Sequence, residues 1–204
     1  MNYSISGVMS FNMFGIPMNG PDTCGFFEAR TEAERYDAEQ MCGRWFQLAT
    51  FYPFGRHHRD KNVDGGRGGA ENEPYVLQEP YKSWARNSLY QRLQYSRQMY
   101  SCLFEAMQSG QTCFDPLLFH YPDDDNVFEE IEHSFIFANA IKVSPVLLPN
   151  VTEFRSYFPA GNWVSINNHS DVVRVSCKDS DDCYGTYGEW VSLSANANSS
   201  DGTV

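Results

Sequence analysis

At 204 residues the chain has room for one domain, or one domain and part of another. Hydrophobic residues at 42% and aromatics at 15% exclude a disordered composition. The formal charge of −11, from 26 acids against 15 bases, repels phosphate and argues against nucleic-acid binding. No membrane span is read either. The most apolar run, 135–149, is interrupted by Lys142 and Pro145 and falls short of the roughly 20 residues a span needs. Met1 leads into Asn2-Tyr3-Ser4 with no basic n-region, so no signal peptide is read at the start.

Taken in chain order, residues 7–22 read as strand-like towards their end, after which Gly20 and Pro21 punctuate a loop. Residues 31–50 read as a helix. Glu32, Glu34, Asp37 and Glu39 sit early, where the helix dipole favours anions, and Met41, Trp45 and Leu48 follow at helical spacing. Residues 55–80 read as loop. Gly65-Gly66-Arg67-Gly68-Gly69 has no Gly-Lys-Ser/Thr after it and is no phosphate cradle. A single helix is expected over 81–109, with Leu89, Leu93, Tyr100, Phe104 and Met107 on its buried face and Gly110 as its stop. Tyr90, Arg92, Tyr95 and Arg97 interleave aromatic and basic residues. The net charge favours a core helix with snorkelling arginines over a nucleic-acid face.

Cys113 to Tyr121 reads as a buried strand, and Asp123-Asp124-Asp125 as a solvated turn lacking the acceptor spacing of a calcium loop. From Ser134 short β-rich runs appear at 135–148, 152–158, 163–166, 172–175 and 190–193. Their spacing predicts antiparallel sheet. The order implies the end of an α/β unit followed by a β domain. Six cysteines stand at 24, 42, 102, 113, 177 and 183, an even count compatible with disulfides. Asn-x-Ser/Thr sequons occur at Asn2, Asn150, Asn168 and Asn198.

Several strings resemble a known family. Residues 15–26, Gly-Ile-Pro-Met-Asn-Gly-Pro-Asp-Thr-Cys-Gly-Phe, resemble the Gly-Ile-Pro-x-x-Gly-Ala-Asp-Ile-Cys-Gly-Phe segment of glycoside hydrolase family 31. Cys42-Gly43-Arg44-Trp45-Phe46-Gln47-Leu48, continued by Phe51-Tyr52-Pro53-Phe54-Gly55-Arg56-His57-His58, resembles that family's Cys-x-Arg-Trp-x-Gln-Leu and Phe-x-Pro-Phe-x-Arg-x-His run. Asp115-Pro116-Leu117 resembles its Arg-Pro-Leu strand, with Asp115 in place of the usual Arg. Residues 140–147 resemble Ala-Leu-x-Val-Ser-Pro-Val-Leu, and residues 157–163 resemble Tyr-Phe-Pro-x-Gly-x-Trp. The strings occur in family order from about residue 5 to 166, and residues 167–204 match poorly.

The resemblance implies an α/β fold: the last strands and helices of a (β/α)₈ TIM barrel over 1–133, followed by an incomplete β-sandwich over 134–204. It implies a retaining, two-carboxylate hydrolysis of α-linked glucosides by the intact enzyme. The family's nucleophile string, Trp-x-Asp-Met-Asn-Glu, and its acid/base string, Arg-Trp-x-Gly-Asp-Asn, do not occur here. The chain is therefore expected to be a fragment, inactive alone. The alternative is a non-catalytic carbohydrate-binding or regulatory module. What the resemblance leaves is the wall of a sugar pocket: Asp22, Phe26 as an apolar face, and His58 as a partner of sugar hydroxyls. The bland counterparts are a turn-favouring Asp and an ordinary core Phe. Arg44 and Arg56 are expected as structural salt-bridge formers and Trp45 as core. A metal reading of His57-His58-Arg59-Asp60 is poor, because neighbouring side chains in extended backbone diverge. No metal or cofactor is expected. Cys24 and Cys42 match paired cysteines of secreted and lysosomal relatives and are expected to bridge. Cys102–Cys113 and Cys177–Cys183 are weaker candidates, by proximity alone. The resemblance also implies the secretory pathway, with a lysosomal, vacuolar or extracellular destination.

Overall fold

A computed structural model describes residues 1–25, 31–58, 73–176, 185 and 187–195. Four helices come first: α1 (Asn2–Met13), α2 (Glu32–Ala49), α3 (Tyr81–Gln94) and α4 (Ser96–Ser109). Seven strands follow: β1 (Phe114–Asp115), β2 (Phe135–Phe137), β3 (Ile141–Val143), β4 (Glu153–Pro159), β5 (Gly161–Val164), β6 (Val172–Val175) and β7 (Gly188–Ser194).

α2 begins at a capping box: the Thr31 hydroxyl accepts from the Glu34 N–H and the Glu34 carboxylate accepts from the Thr31 N–H. This satisfies two donors that a helix start leaves over, and the Thr-x-x-Glu string was its sequence signal. Trp45 and Leu48 are buried as expected, whereas Met41 sits at the edge. α3 crosses α2 closely because Gly43 has no side chain; a Cβ there would lie 3.0 Å from the Trp84 ring and 3.2 Å from Tyr81.

Three expectations fail here. The 7–22 segment is not strand-like: α1 runs to Met13, and 14–22 is irregular. Pro17 and Pro21 lack N–H groups and Gly15 turns with φ of 80°, so no ladder propagates. The helix over 81–109 is two helices, broken at Tyr95. Its expected core face is also turned outward. Leu93 and Tyr100 are 69% and 73% exposed, while Trp84, Ala85, Ser88, Met99, Cys102 and Ala106 are buried. The period was right and the covered side is the other one, bearing Tyr81, Trp84, Ala85, Met99 and Cys102. The Cys113–Tyr121 strand shrinks to β1, because Pro116 removes a ladder donor and the chain enters a 3₁₀ turn at Leu117–Phe119.

The antiparallel expectation holds. β1, β2 and β3 form one sheet in that order, with Phe114 opposite Phe137 and Phe135 opposite Val143. β4 pairs with β7 from Glu153–Ser194 to Pro159–Gly188, and β5 pairs with β6. The main core joins α1, α2, α4 and the first sheet through Ile5, Val8, Leu48, Phe51, Phe114 and Phe135. Asn12 ties α1 to β1: its amide donates to the Phe114 carbonyl and accepts from the Cys113 N–H.

Under the strands lies a buried ion pair. Lys142 Nζ is 3.5 Å from Glu130 Oε2, and both side chains are 2% exposed. Lys142 also donates to the hydroxyls of Ser144 (2.5 Å) and Ser156 (2.7 Å). Glu130 accepts from the Ser134 and Ser156 hydroxyls and from the Tyr157 N–H. Asp124 is buried beside them rather than solvated, because the buried Tyr157 hydroxyl needs an acceptor and donates to it at 2.6 Å. Burial lowers the Lys142 ammonium to about 8 against the pull of Glu130.

The unfolded chain keeps this lysine protonated up to its ordinary 10.5, so between pH 8 and 10.5 the unfolded state binds the extra proton and folding is favoured as pH rises. Burial raises Tyr52 and Tyr157 above their ordinary 10, and stability they contribute is lost above that value. Denaturant titration should therefore show unfolding free energy climbing from pH 8 to about 10 and falling beyond it. Lys142→Met should abolish the climb and cost roughly 3–5 kcal/mol at pH 7, most of it recovered by adding Glu130→Gln. A climb that persists in Lys142→Met would contradict the assignment.

Candidate functional site

Two loops lie side by side, one leading into the Cys24 turn and the other leaving α2. The Phe54 N–H donates to the Asn19 carbonyl at 3.2 Å and the Thr23 N–H donates to the Arg56 carbonyl at 2.8 Å. Asp22 and Arg56 form a single parallel bridge. Gly20 permits the approach, since a Cβ there would sit 2.0 Å from the Phe54 carbonyl oxygen.

On this backbone Arg56 Nε donates to Asp22 Oδ1 at 2.7 Å. The pair is asymmetric, with Asp22 14% and Arg56 50% exposed at the side chain. Arg56 is thus a salt-bridge former as expected. Among the described residues Arg44 forms no salt bridge and instead donates to the carbonyls of Leu148 and Val151. Burial alternates along 56–58: Arg56 and His58 are exposed and His57 is half-buried. The His57 ring stacks on Phe46 at 4.6 Å, with its Nε2 3.9 Å from Cys24 Sγ. Phe26 lies outside the described residues, as do Arg59 and Asp60.

Cys24 and Cys42 are bridged, with Cα atoms 4.5 Å apart, joining the Asp22 loop to α2. Cys102 and Cys113 are also bridged, at 5.8 Å, joining α4 to β1. The third candidate, Cys177–Cys183, lies outside the described residues. Asp115, which stands where the resemblance has Arg, is buried and pairs with His120 at 3.1 Å.

Sequence reasoning missed what fixes the second loop. Arg92 of α3 reaches the end of α2 and donates to the carbonyls of Ala49 (2.9 Å), Thr50 (3.2 Å), Tyr52 and Pro53 (3.0 Å). Burial lowers its pKa, with the helix-end carbonyls as its partners. Its only sequence signal was an arginine among aromatics.

A cavity of about 1090 Å³ lies elsewhere, among the β2–β3 hairpin and the β4–β7 and β5–β6 ladders. Asp171 is the one carboxylate lining it among the described residues. Among the described residues no cluster of three or more His, Cys, Asp or Glu is arranged for a metal ion.

Residues 1–102 match the family model for the glycosyl hydrolases family 31 TIM-barrel domain, and residues 110–195 match that for the family 31 C-terminal domain. The chain belongs to glycoside hydrolase family 31. It is 37% identical over 173 residues to a probable alpha-glucosidase of Oryza sativa subsp. japonica, covering 85% of this chain and 18% of that protein. It is 30% identical over 199 residues to the lysosomal alpha-glucosidase of Mus musculus, covering 95% and 19%. The fold is that of a glucosidase II alpha subunit, with a TM-score of 0.76 at 23% identity over 96% of this chain and 19% of that one. An alpha-xylosidase from a soil metagenome shares it, with a TM-score of 0.73 at 21% identity over 95% and 28%. The chain thus spans about a fifth of the length of these curated relatives. The barrel-domain match takes in α1 to α3 and the first half of α4, and the C-terminal-domain match takes in β1 to β7.

The Cys24–Cys42 bridge closes a segment with a sequence separation of 18 between α2 and the Asp22 turn. By the loop-entropy relation it contributes roughly 3 kcal/mol. The double variant Cys24→Ser/Cys42→Ser should lose about that much in denaturant titration, with the midpoint lowered and the slope little changed. An unchanged midpoint would show that the bridge does not constrain the fold.

Proposed function

We propose that this segment is the sugar-pocket wall of an enzyme that hydrolyses α-linked glucosides by a retaining, two-carboxylate mechanism. The observation that carries the proposal is the Asp22–Arg56 pair. It sits between two loops pinned together by backbone hydrogen bonds, at the family's pocket-aspartate string. One oxygen of Asp22 is committed to Arg56, and a carboxylate retains further acceptor sites for sugar hydroxyls. His58 is two residues along from Arg56 and exposed like it, which suits an imidazole that donates to and accepts from vicinal hydroxyls. Phe26 would supply the apolar face, two residues beyond Cys24.

Retaining hydrolysis needs a nucleophile and an acid/base about 5–5.5 Å apart. The strings that hold both in the family do not occur in residues 1–204, so chemistry and pocket wall fall on different parts of the intact enzyme. A division into a barrel part over 1–133 and a β-sandwich part over 134–204 belongs to the same reading. It is supported by the change from helices to strands, β1 aside. Relatives that include lysosomal enzymes, together with two bridged cysteine pairs, support passage through the oxidising secretory pathway. A lysosomal, vacuolar or extracellular destination belongs to the same reading, and the lysosomal relatives support the first of these. Among the described residues no helix is long and apolar enough to cross a membrane.

Residues 1–204 alone should not turn over an aryl α-glucoside. Hydrolysis above background that Asp22→Ala abolishes would overturn the division of labour. In the intact enzyme Asp22→Ala should lower kcat/KM by about 30-fold or more, the worth of charge-assisted hydrogen bonds to the sugar. An unchanged kcat/KM would remove Asp22 from the pocket.

A further inference from the structure

Three sequons fall on described residues, and the fold treats them differently. Asn2 opens α1, and the hydroxyl of its Ser4 is engaged. It donates to the Met1 carbonyl at 2.5 Å and lies 2.8 Å from the hydroxyl of buried Tyr52. Asn168 is folded into its own turn: its Oδ1 accepts from the Ser170 N–H at 3.2 Å and its carbonyl accepts from the Asp171 N–H at 2.9 Å. Asn150-Val151-Thr152 is different. Asn150 and Thr152 are both exposed in the connection between β3 and β4, and neither side chain has a hydrogen-bond partner among the described residues.

The main chain of this connection is gripped from beneath. The Asn150 N–H donates to Gln40 Oε1 at 2.9 Å, and Arg44 donates to the carbonyls of Leu148 and, at 3.0 Å, Val151. Gln40 and Arg44 are both buried on α2. Asn150 itself turns with φ of 57°, a conformation that Asn tolerates better than most residues. Backbone groups are therefore used up on the inner side while the carboxamide and the threonine hydroxyl remain unengaged. A bulky substituent on Asn150 displaces no bond of the fold. It would also cover the neighbouring Leu148, which is 62% exposed.

We propose that Asn150 carries an N-linked oligosaccharide. The inference rests on the secretory-pathway reading above. Asn150 Nδ2 forms a bond to the anomeric carbon of a lipid-diphosphate-linked oligosaccharide donor. The bond from that carbon to the diphosphate oxygen breaks, the diphosphate leaves with the electron pair, and a transferase base takes the amide proton. No oxidant or reductant enters. The product is a bulky, solubilising surface group, as sequon modification requires.

The test uses the protein isolated from its own source, digested without reduction. Release of glycans by an amidase in ¹⁸O-water converts each modified Asn to labelled Asp, read by mass spectrometry. The expected result is label at Asn150. Asn150→Asp, which suits the left-handed turn, and Thr152→Ala, which leaves Asn150 in place, should each remove the same one glycan step in gel mobility. An unlabelled Asn150 overturns the proposal. If Cys24–Cys42 and Cys102–Cys113 are bridged in that digest, the site falls alone; if they are free thiols, the compartment reading falls with it.

Discussion

The last carbonyls of an α-helix have no donors within the helix, and at α2 those of Phe46, Gln47, Leu48 and Ala49 accept from the N–H groups of Thr50, Phe51 and Tyr52 as the chain turns. One guanidinium fixes the turn that follows: Arg92 donates to the carbonyls of Ala49, Thr50, Tyr52 and Pro53 as the chain leaves the helix. An arginine so placed uses its planar fork as a template for backbone, with no acid among these four partners. Everything downstream depends on where this turn points the chain. Phe54 then meets Asn19, the Arg56 carbonyl meets Thr23, and the Arg56 side chain meets Asp22. The Cys24–Cys42 bridge holds the opposite loop to the same helix. The proposed pocket wall is thus held from two helices, covalently from α2 through Cys42 and by hydrogen bonds from α3 through Arg92.

A second set of constraints holds the strands together. The Lys142–Glu130 pair draws the β2–β3 hairpin, the turn after β1 and strand β4 onto one buried network. Such a pair gives little net stability but penalises any packing that separates its members. Arg44 repeats the logic of Arg92 by gripping the carbonyls of the β3–β4 connection from α2. Family 31 membership explains why the strings around these residues run in order, and the contacts explain what those strings do locally.

Much of this was legible in the sequence. The α2 helix was plain because apolar residues recur at its period, and the β6 run at 172–175 because it is rich in valine and bounded by turn residues. Asp22 and Arg56 could be singled out, yet their pairing could not, since 34 residues separate them. The stripe Leu89, Leu93, Tyr100, Phe104 and Met107 had the right period and the wrong cover, because periodicity does not say which side meets a neighbour. Arg92 was illegible for a deeper reason: its partners are carbonyl groups, which every residue carries. Lys142 was read only as an interruption of an apolar run, and it proved to be a buried ion beneath the strands. Pro17 and Pro21 were visible, but their effect on pairing was underweighted in the 14–22 segment.

Arg92 is the group that sets the second loop against the first. Amide hydrogen exchange on Arg92→Met tests this directly, read at the Thr23 and Phe54 N–H groups, which bond across the two loops. Protection at both should fall by about tenfold or more, as local opening becomes easier, while the β4–β7 ladder keeps its protection. If Thr23 and Phe54 remain as protected as in the parent chain, the loops are positioned without Arg92 and the account of the pocket wall is wrong.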